Sequence, residues 1–105
     1  MNEQTIHAEI SVIPIGTISG TSMSKEIAAA FDAIRRIKDL KAMLTPMGTQ
    51  IETNNFANIL AAIEAAHLAV RSGGAKRIIT TIRIDQRLDK SISLQKKIDS
   101  VMEKL

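Results

Sequence analysis

The residues best suited to chemistry lie in one central stretch, from Leu44 to Glu52. Two short extended runs flank a Pro-Met-Gly corner, in which proline presets φ for an early turn position and glycine adopts backbone geometry that other residues avoid. The pattern predicts a tight β-hairpin with the hydroxyls of Thr45 and Thr49 at the two ends of its corner. With the nearby Glu52 carboxylate, these groups indicate one wall of a polar pocket. An ordinary hairpin with solvent-facing threonines is the alternative.

Composition limits the kind of protein that could hold this hairpin. The chain of 105 residues is predicted to form one domain, residues 1–105, and 45% of it is apolar and available for a core. It has no cysteine, a net charge of +3, and basic residues that are spread out rather than gathered in one block. The sequence shows neither a membrane-length apolar run nor a signal-peptide pattern, so we expect a cytoplasmic protein.

Apolar periodicity and turn residues place the hairpin within a longer series of elements. Alternation at every second residue predicts a strand over 6–15, whereas spacings of three and four residues predict helices. The remaining elements are a helix capped by Ser22 or Ser24, hairpin strands over 41–45 and 49–53, a helix capped by Asn54 or Asn55 and ended by Gly73-Gly74, a strand over 76–85, and a last helix capped by Ser91. The predicted buried stripe of the second helix is Phe56, Ile59, Leu60, Ile63, His67 and Val70.

The element order, β-α-β-β-α-β-α, predicts an α+β fold of the ferredoxin-like kind. Four antiparallel strands then lie in the order 4-1-3-2, two helices cover one face, and an extra C-terminal helix follows. By alternation, the uncovered face is predicted to carry Glu9, Ser11, Ile13, Met43, Thr45, Thr49, Ile51, Ile79, Thr81, Arg83 and Asp85. Because this open face is half apolar, we expect a second subunit to pack on it, with a ligand pocket at the boundary.

Other functions of this fold are disfavoured by the residues present. An RNA-binding module needs aromatic residues on the two central strands, and those strands hold none. An acylphosphatase-like enzyme needs a basic phosphate loop, and the loop 16–24 has no Arg or Lys, although its backbone amides could hold an anion. His7 is expected at an exposed sheet end and His67 packed in its helix. The sequence shows neither His, Asp and Glu residues at metal-ligand spacing nor a recognisable group of catalytic residues. No metal, no cofactor and no enzymatic activity are therefore predicted.

Four segments give the chain a resemblance to a known family. They are 8–17, 44–52, 74–78 and 84–90, and the run Thr-Pro-Met-Gly-Thr followed by Ile-Glu is the most specific part. On these segments the chain resembles the thiamine-binding protein family. The resemblance implies a ferredoxin-like homodimer or homotetramer that binds thiamine or a hydroxymethylpyrimidine-like ligand, as a carrier or sensor. Neither nucleic acid nor a membrane is expected as a partner.

The resemblance also implies a set of ligand-binding residues. They are Ser11, Thr17, Ser22, Thr45, Met47, Gly48, Thr49 and Glu52. Hydroxyls could bond the aminopyrimidine ring, and Glu52 or Glu9 could balance the thiazolium cation. The alternative function is that of a structural or regulatory homo-oligomer whose open sheet face serves assembly only.

Overall fold

The computed structural model describes residues 4–17 and 20–105 of the chain. Alternating apolar residues extend the chain into strands, and apolar residues at helical spacing coil it into helices. The elements are β1 (Ile6–Ile15), α1 (Ser24–Arg35), β2 (Leu40–Thr45), β3 (Gly48–Thr53), α2 (Phe56–Ser72), β4 (Arg77–Asp85) and α3 (Leu94–Met102). All seven predicted elements are therefore present, and they begin close to the predicted positions.

The four strands form one antiparallel sheet in the order β2-β3-β1-β4. From the opposite edge the same order runs β4-β1-β3-β2. Strand β1 pairs with β4 from His7 to Ile15, but its register with β3 runs from Ile6 to Ile10. The architecture is α+β, with an open sheet and three helices, and it is consistent with a ferredoxin-like sandwich.

The core lies between one face of the sheet and the helices α1 and α2. Its strand side is formed by Ile6, Ala8, Ile10 and Val12 of β1 and by Ile51 of β3. These residues meet buried side chains of the helices, namely Ala30, Ile34, Ile59, Ala62, Ala66 and Val70. Burying this apolar surface is the main force that holds the helices on the sheet.

Helix α2 turns a partly different stripe toward the core than predicted. Ile59 is fully buried as expected, but Phe56 and Leu60 are exposed. Ala62 and Ala66 take the buried positions instead, because the stripe that faces the sheet passes through small residues at spacings of three and four. The prediction assigned bulky side chains to the buried stripe, whereas α2 packs on the sheet partly through alanines.

Both predicted boundaries of α2 are confirmed. Asn55 is the N-cap, and its side-chain oxygen accepts a hydrogen bond from the backbone N–H of Ala57 at 3.0 Å. At the other end, Gly74 has a φ of 89°, a left-handed conformation that glycine adopts readily.

The predicted cap of α1 is wrong. Met23, rather than Ser22 or Ser24, is the N-cap residue, and its carbonyl accepts the first helical hydrogen bond from Ile27 N at 2.8 Å. The hydroxyl groups of Ser22 and Ser24 lie 3.5 Å from each other instead. A nearby serine can cap a helix only where the backbone enters the first turn at that residue, and here the entry falls between the two serines.

Helix α3 lies against the open face of the sheet. Ser93 caps it rather than the predicted Ser91, whose hydroxyl instead accepts a hydrogen bond from Thr5 N. The backbone N–H of Leu94 donates to Oε1 of Glu52 on β3, and no residue of α3 is buried. Within the described part of the chain, no helix is long and apolar enough to cross a membrane.

The hairpin register differs from the predicted one by one residue. Thr45 pairs with Gly48, so β3 begins at Gly48 and the two residues between them form the turn. Since side chains alternate between faces, a shift of one residue moves a whole strand's side chains to the other face. The prediction that Thr49 and Ile51 lie on the open face is therefore wrong. Both are buried on the side of the sheet that the helices cover. The other residues predicted for the open face lie on it by their register with β1.

Candidate functional site

The tip of the β2–β3 hairpin is fixed by one side-chain hydrogen bond and one close backbone approach. Oγ1 of Thr45 donates to the carbonyl oxygen of Gly48 at 2.7 Å and braces the two-residue turn. A Cβ atom on Gly48 would lie 3.0 Å from the carbonyl oxygen of Ile10 and 3.3 Å from Cγ of Glu9, so a larger residue would force a shift. The hairpin tip therefore packs closely on β1, and this contact fixes the position of the hydroxyl groups of Thr45 and Thr49.

Beside this tip, the sheet and α1 enclose a cavity of about 190 Å³, named here the hairpin cavity. The structure brings together five of the eight predicted ligand-binding residues around it. They are Ser11, Thr45, Met47, Gly48 and Thr49. Met23 and Ile27 complete the wall from the α1 side. Sequence reasoning missed these two, because only the packing of α1 shows which of its residues reach the hairpin.

The hairpin cavity combines three hydroxyl-bearing residues with apolar side chains, and none of its described lining residues is charged. Thr49 is the most enclosed of the three, at 5% exposure. A few polar groups in an apolar wall are typical of small-ligand sites. The volume is below the roughly 300–1,000 Å³ of pockets for drug-sized ligands, so the cavity suits one ring rather than a two-ring molecule.

One edge of β1 adds backbone groups to this cavity. The register between β1 and β3 ends at Ile10 opposite Thr49, whereas β1 continues to Ile15 and lines the cavity with Ser11, Val12 and Ile13. Beyond that pair, the edge of β1 turned toward the hairpin presents N–H and C=O groups that β3 does not use. Because backbone groups of this kind need partners, the edge favours a ligand that both donates and accepts hydrogen bonds.

Two predicted binding residues lie apart from the hairpin cavity. Thr17 and Ser22 are not among its lining residues, and Ser22 is exposed. Residues 18 and 19 of the predicted binding loop lie outside the described residues. Ligand or anion binding by the loop 16–24 therefore stays a prediction.

Glu52 also lies apart from the hairpin cavity, toward the other end of β3. Glu52 is four positions after Gly48 along the strand, a span of about 13 Å at roughly 3.3 Å per residue. Its Oε1 accepts a hydrogen bond of 2.6 Å from the backbone N–H of Leu94. The observed partner of Glu52 is therefore α3. This contact is favourable because the helix dipole stabilises a carboxylate at a helix N-terminus. Ligand binding by Glu52 stays a prediction.

A second polar group lies on the open face beneath α3. His7 was expected to be exposed, but it is only 5% exposed, because α3 covers this end of the sheet. Its Nε2 lies 3.4 Å from Oε1 of Glu52. Burial lowers the pKa of His7 below its usual 6.5, and the charge of Lys97 lowers it further, against the carboxylates of Glu52 and Asp85. His7 is therefore neutral at pH 7.

Ion pairs flank His7 on the same face. Arg83 donates to Glu9 at 2.9 Å and Lys97 donates to Asp85 at 2.7 Å. The hydrogen bond from Gln50, followed by that from Arg83, lowers the pKa of Glu9, and the hydrogen bond from Lys97 lowers the pKa of Asp85. The first pair could have been found from sequence, because the two residues are direct cross-strand neighbours. Among the described residues, no group of three or more His, Cys, Asp or Glu side chains could hold a metal ion.

These features define the class of protein: a small α+β protein with an open four-stranded sheet and an uncharged cavity beside a rigid hairpin. Residues 8–102 match the family described as thiamine-binding protein, and the chain belongs to that family. The resemblance inferred from the sequence is thereby confirmed. The chain is similar to the UPF0045 protein of Methanothermobacter thermautotrophicus, with 40% identity over 100 residues that cover 95% of this chain and 99% of that protein.

Solved structures show the same fold. A protein of Methanocaldococcus jannascii superimposes with a TM-score of 0.84 at 32% identity, over 95% of this chain and 98% of the other. A protein of Thermotoga maritima, named in connection with thiamine biosynthesis or salvage, gives a TM-score of 0.74 at 20% identity, over 92% of this chain and 98% of the other. At that identity the second likeness shows the fold alone.

Proposed function

We propose that the protein binds thiamine or a related pyrimidine metabolite, such as hydroxymethylpyrimidine, in the hairpin cavity. It acts as a cytoplasmic homo-oligomeric carrier or sensor and performs no chemistry on the ligand. One observation carries the proposal: five residues that the family resemblance assigns to the ligand converge on one cavity. Membership of a family described as thiamine-binding supports the ligand class.

The composition of the cavity favours the pyrimidine half of thiamine over the thiazolium half. Its described lining residues are uncharged, and the Glu52 carboxylate that could balance a cation lies toward the other end of β3. An aminopyrimidine, in contrast, offers donors and acceptors that match the hydroxyls of Thr45 and Thr49 and the free edge of β1. We therefore place the pyrimidine ring inside and the thiazolium, where present, toward the solvent.

Isothermal titration calorimetry tests this assignment with three ligands: hydroxymethylpyrimidine, thiamine and the isolated hydroxyethylthiazole. The first two should bind and the third should not. Thr49→Val keeps the side-chain shape and removes the hydroxyl, so it should weaken pyrimidine binding roughly three- to tenfold. Thr81→Val, at an exposed position of β4, is the matched control and should leave binding unchanged. Absence of heat and of thermal stabilisation with all three ligands at millimolar concentration would reject the ligand class.

The alternative function, assembly through the open face without any ligand, is favoured by one observation. Ile13, Ile15, Met43 and Ile79 are exposed on that face, and an apolar surface of this kind commonly marks a protein interface. Ile79→Lys, measured by analytical ultracentrifugation, should shift the protein toward smaller species, whereas Thr49→Val should not. If no pyrimidine binds and Ile79→Lys dissociates the oligomer, the assembly function replaces the binding function.

A further inference from the structure

Strand β4 forms one edge of the sheet, and the side turned away from β1 is named here the β4 edge. Within the described part of the chain, β4 pairs with β1 alone. It is nine residues long, contains neither proline nor lysine, and keeps an unbroken register with β1 from Arg77 to Asp85. Proline, lysine, short length and bulges are the features that usually keep an edge strand from pairing with another chain. The opposite edge strand, β2, has only six residues and carries Lys41, so the β4 edge is the more open of the two.

The β4 edge presents unpaired backbone groups on a strand whose side chains favour pairing. In an antiparallel strand, alternate residues direct their N–H and C=O groups to the same neighbour, so about half of β4 turns these groups away from β1. Six of the nine residues are isoleucine or threonine, which suit strands. Ile84 is 45% exposed, although it lies on the face that the helices cover. A further strand would pair the backbone groups and cover Ile84.

Exposed apolar side chains of α2 lie beside the same edge. Nδ1 of His67 is 2.8 Å from Oγ1 of Thr80, which shows that this side of α2 lies over β4. Leu60 and Phe56 share that side of the helix, because they precede His67 by seven and eleven residues. Both are exposed. A sheet that continued past β4 with its own helix above it would therefore cover apolar surface on α2 as well.

The charges at the two ends of β4 match those of a second copy of the same strand. Two antiparallel copies related by a twofold axis at Thr81 place Arg77 of each copy opposite Asp85 of the other. Arg77 is exposed, and within the described part of the chain its side chain makes no hydrogen bond or ion pair. Lys97 donates to Oδ2 of Asp85 and leaves Oδ1 open. Both end residues can therefore take a partner from a second copy, and opposite charges across a strand pair stabilise it.

Neighbouring registers of the same pairing lose this match. With the axis at Thr80, Arg77 would lie opposite Arg83, and like charges across a strand pair are destabilising. With the axis at Ile82, Asp85 would have no cation opposite it. The sequence of β4 thus selects both the partner and one register.

We propose that the β4 edge is an interface with a second copy of this chain. The two β4 strands pair antiparallel about an axis at Thr81, and the sheet continues from one copy into the other. Ile84 of each copy packs opposite Ile78 of the other, on the side that α2 covers. This interface deepens the homo-oligomeric part of the proposed function. It leaves the hairpin cavity open, because no described residue of β4 lines that cavity.

Sedimentation velocity over a series of concentrations measures the self-association. Arg77→Asp places like charges opposite each other at both ends of the strand pair and should raise the dissociation constant at least about tenfold. Lys38→Asp makes the same charge change at an exposed position outside the strands and should leave the constant unchanged. The double variant Arg77→Asp/Asp85→Arg restores opposite charges and should associate at least about fivefold more tightly than Arg77→Asp.

Amide hydrogen exchange separates this interface from assembly through the open face. Pairing at the β4 edge should slow exchange of the alternate β4 amides that point away from β1 at least about tenfold, and Arg77→Asp should remove this protection. Assembly through the open face forms no hydrogen bond to these amides. Rapid exchange of these amides in an associated chain, a chain that stays monomeric, unchanged association in Arg77→Asp, or no recovery in the double variant would each overturn the proposal.

Pyrimidine binding, measured by calorimetry on the same variants, keeps the two proposals apart. Arg77→Asp should bind hydroxymethylpyrimidine as the unaltered chain does, because the β4 edge lies away from the hairpin cavity. A chain that pairs through β4 but binds no pyrimidine would reject the binding function alone. A chain that binds pyrimidine as a monomer would reject this interface alone.

Discussion

Replacing Glu52 by alanine should loosen α3 while leaving the rest of the fold intact. Oε1 of Glu52 accepts a 2.6 Å hydrogen bond from Leu94 N at the helix N-terminus, and no residue of α3 is buried. Loss of a side-chain acceptor at a helix N-terminus costs about 1–2 kcal/mol, even where a cap such as Ser93 remains. That cost corresponds to a roughly 5- to 30-fold larger population in which α3 is detached. Helices with little buried surface open locally, so the effect should be confined to α3.

Amide hydrogen exchange resolved by residue measures this prediction directly. Exchange in α3 should accelerate about 5- to 30-fold in Glu52→Ala, and less in Glu52→Gln, which keeps an acceptor oxygen but loses the charge. Glu64→Ala, at an exposed position of α2, is the control and should leave α3 unchanged. Unchanged exchange of α3 in Glu52→Ala would refute the view that Glu52 anchors this helix.

Three further perturbations test the packing and the hairpin. Because burial lowers the pKa of His7, the unfolded chain binds more protons than the folded one below pH 6.5. Stability should therefore fall as the pH drops from 6.5 toward the lowered pKa, and urea denaturation should show a flatter profile in His7→Gln. Ile59→Ala should cost about 2–5 kcal/mol in urea denaturation, whereas Leu60→Ala, at a position 57% exposed, should cost less than about 0.5 kcal/mol. Gly48→Ala should lower the melting temperature by forcing a Cβ atom against Ile10, at a cost of about 1–3 kcal/mol; an unchanged melting temperature would contradict the close approach.

The element order could be predicted because each element carries its own local signal. Alternating apolar residues marked β1, helical spacing marked α2, and Asn55 with Gly74 marked the boundaries of that helix. Their order then restricted the architecture to an α+β sandwich. Four of the five predicted ligand-binding residues beside the hairpin cavity lie together because the turn that holds them is local in sequence, and Ser11 joins them from β1.

The features that failed depend on packing rather than on local sequence. The Pro-Met-Gly corner is compatible with turns of different length, and the difference of one residue decided the face on which Thr49 lies. His7 is buried because α3 folds back over the open face, and a helix with exposed apolar residues does not reveal where it docks. Glu52 lies apart from the hairpin cavity because it is further along β3, where it accepts a hydrogen bond from the N-terminus of α3.

The most direct test of the binding proposal is an NMR titration of the full chain with hydroxymethylpyrimidine. The proposal predicts saturable shifts at Thr49, Met47 and Ile27, which surround the hairpin cavity. The methyl group of Ile98 on α3, which does not line that cavity, should stay unperturbed. Saturable shifts confined to α3, or none at millimolar ligand, would contradict the assignment of the pyrimidine to the hairpin cavity.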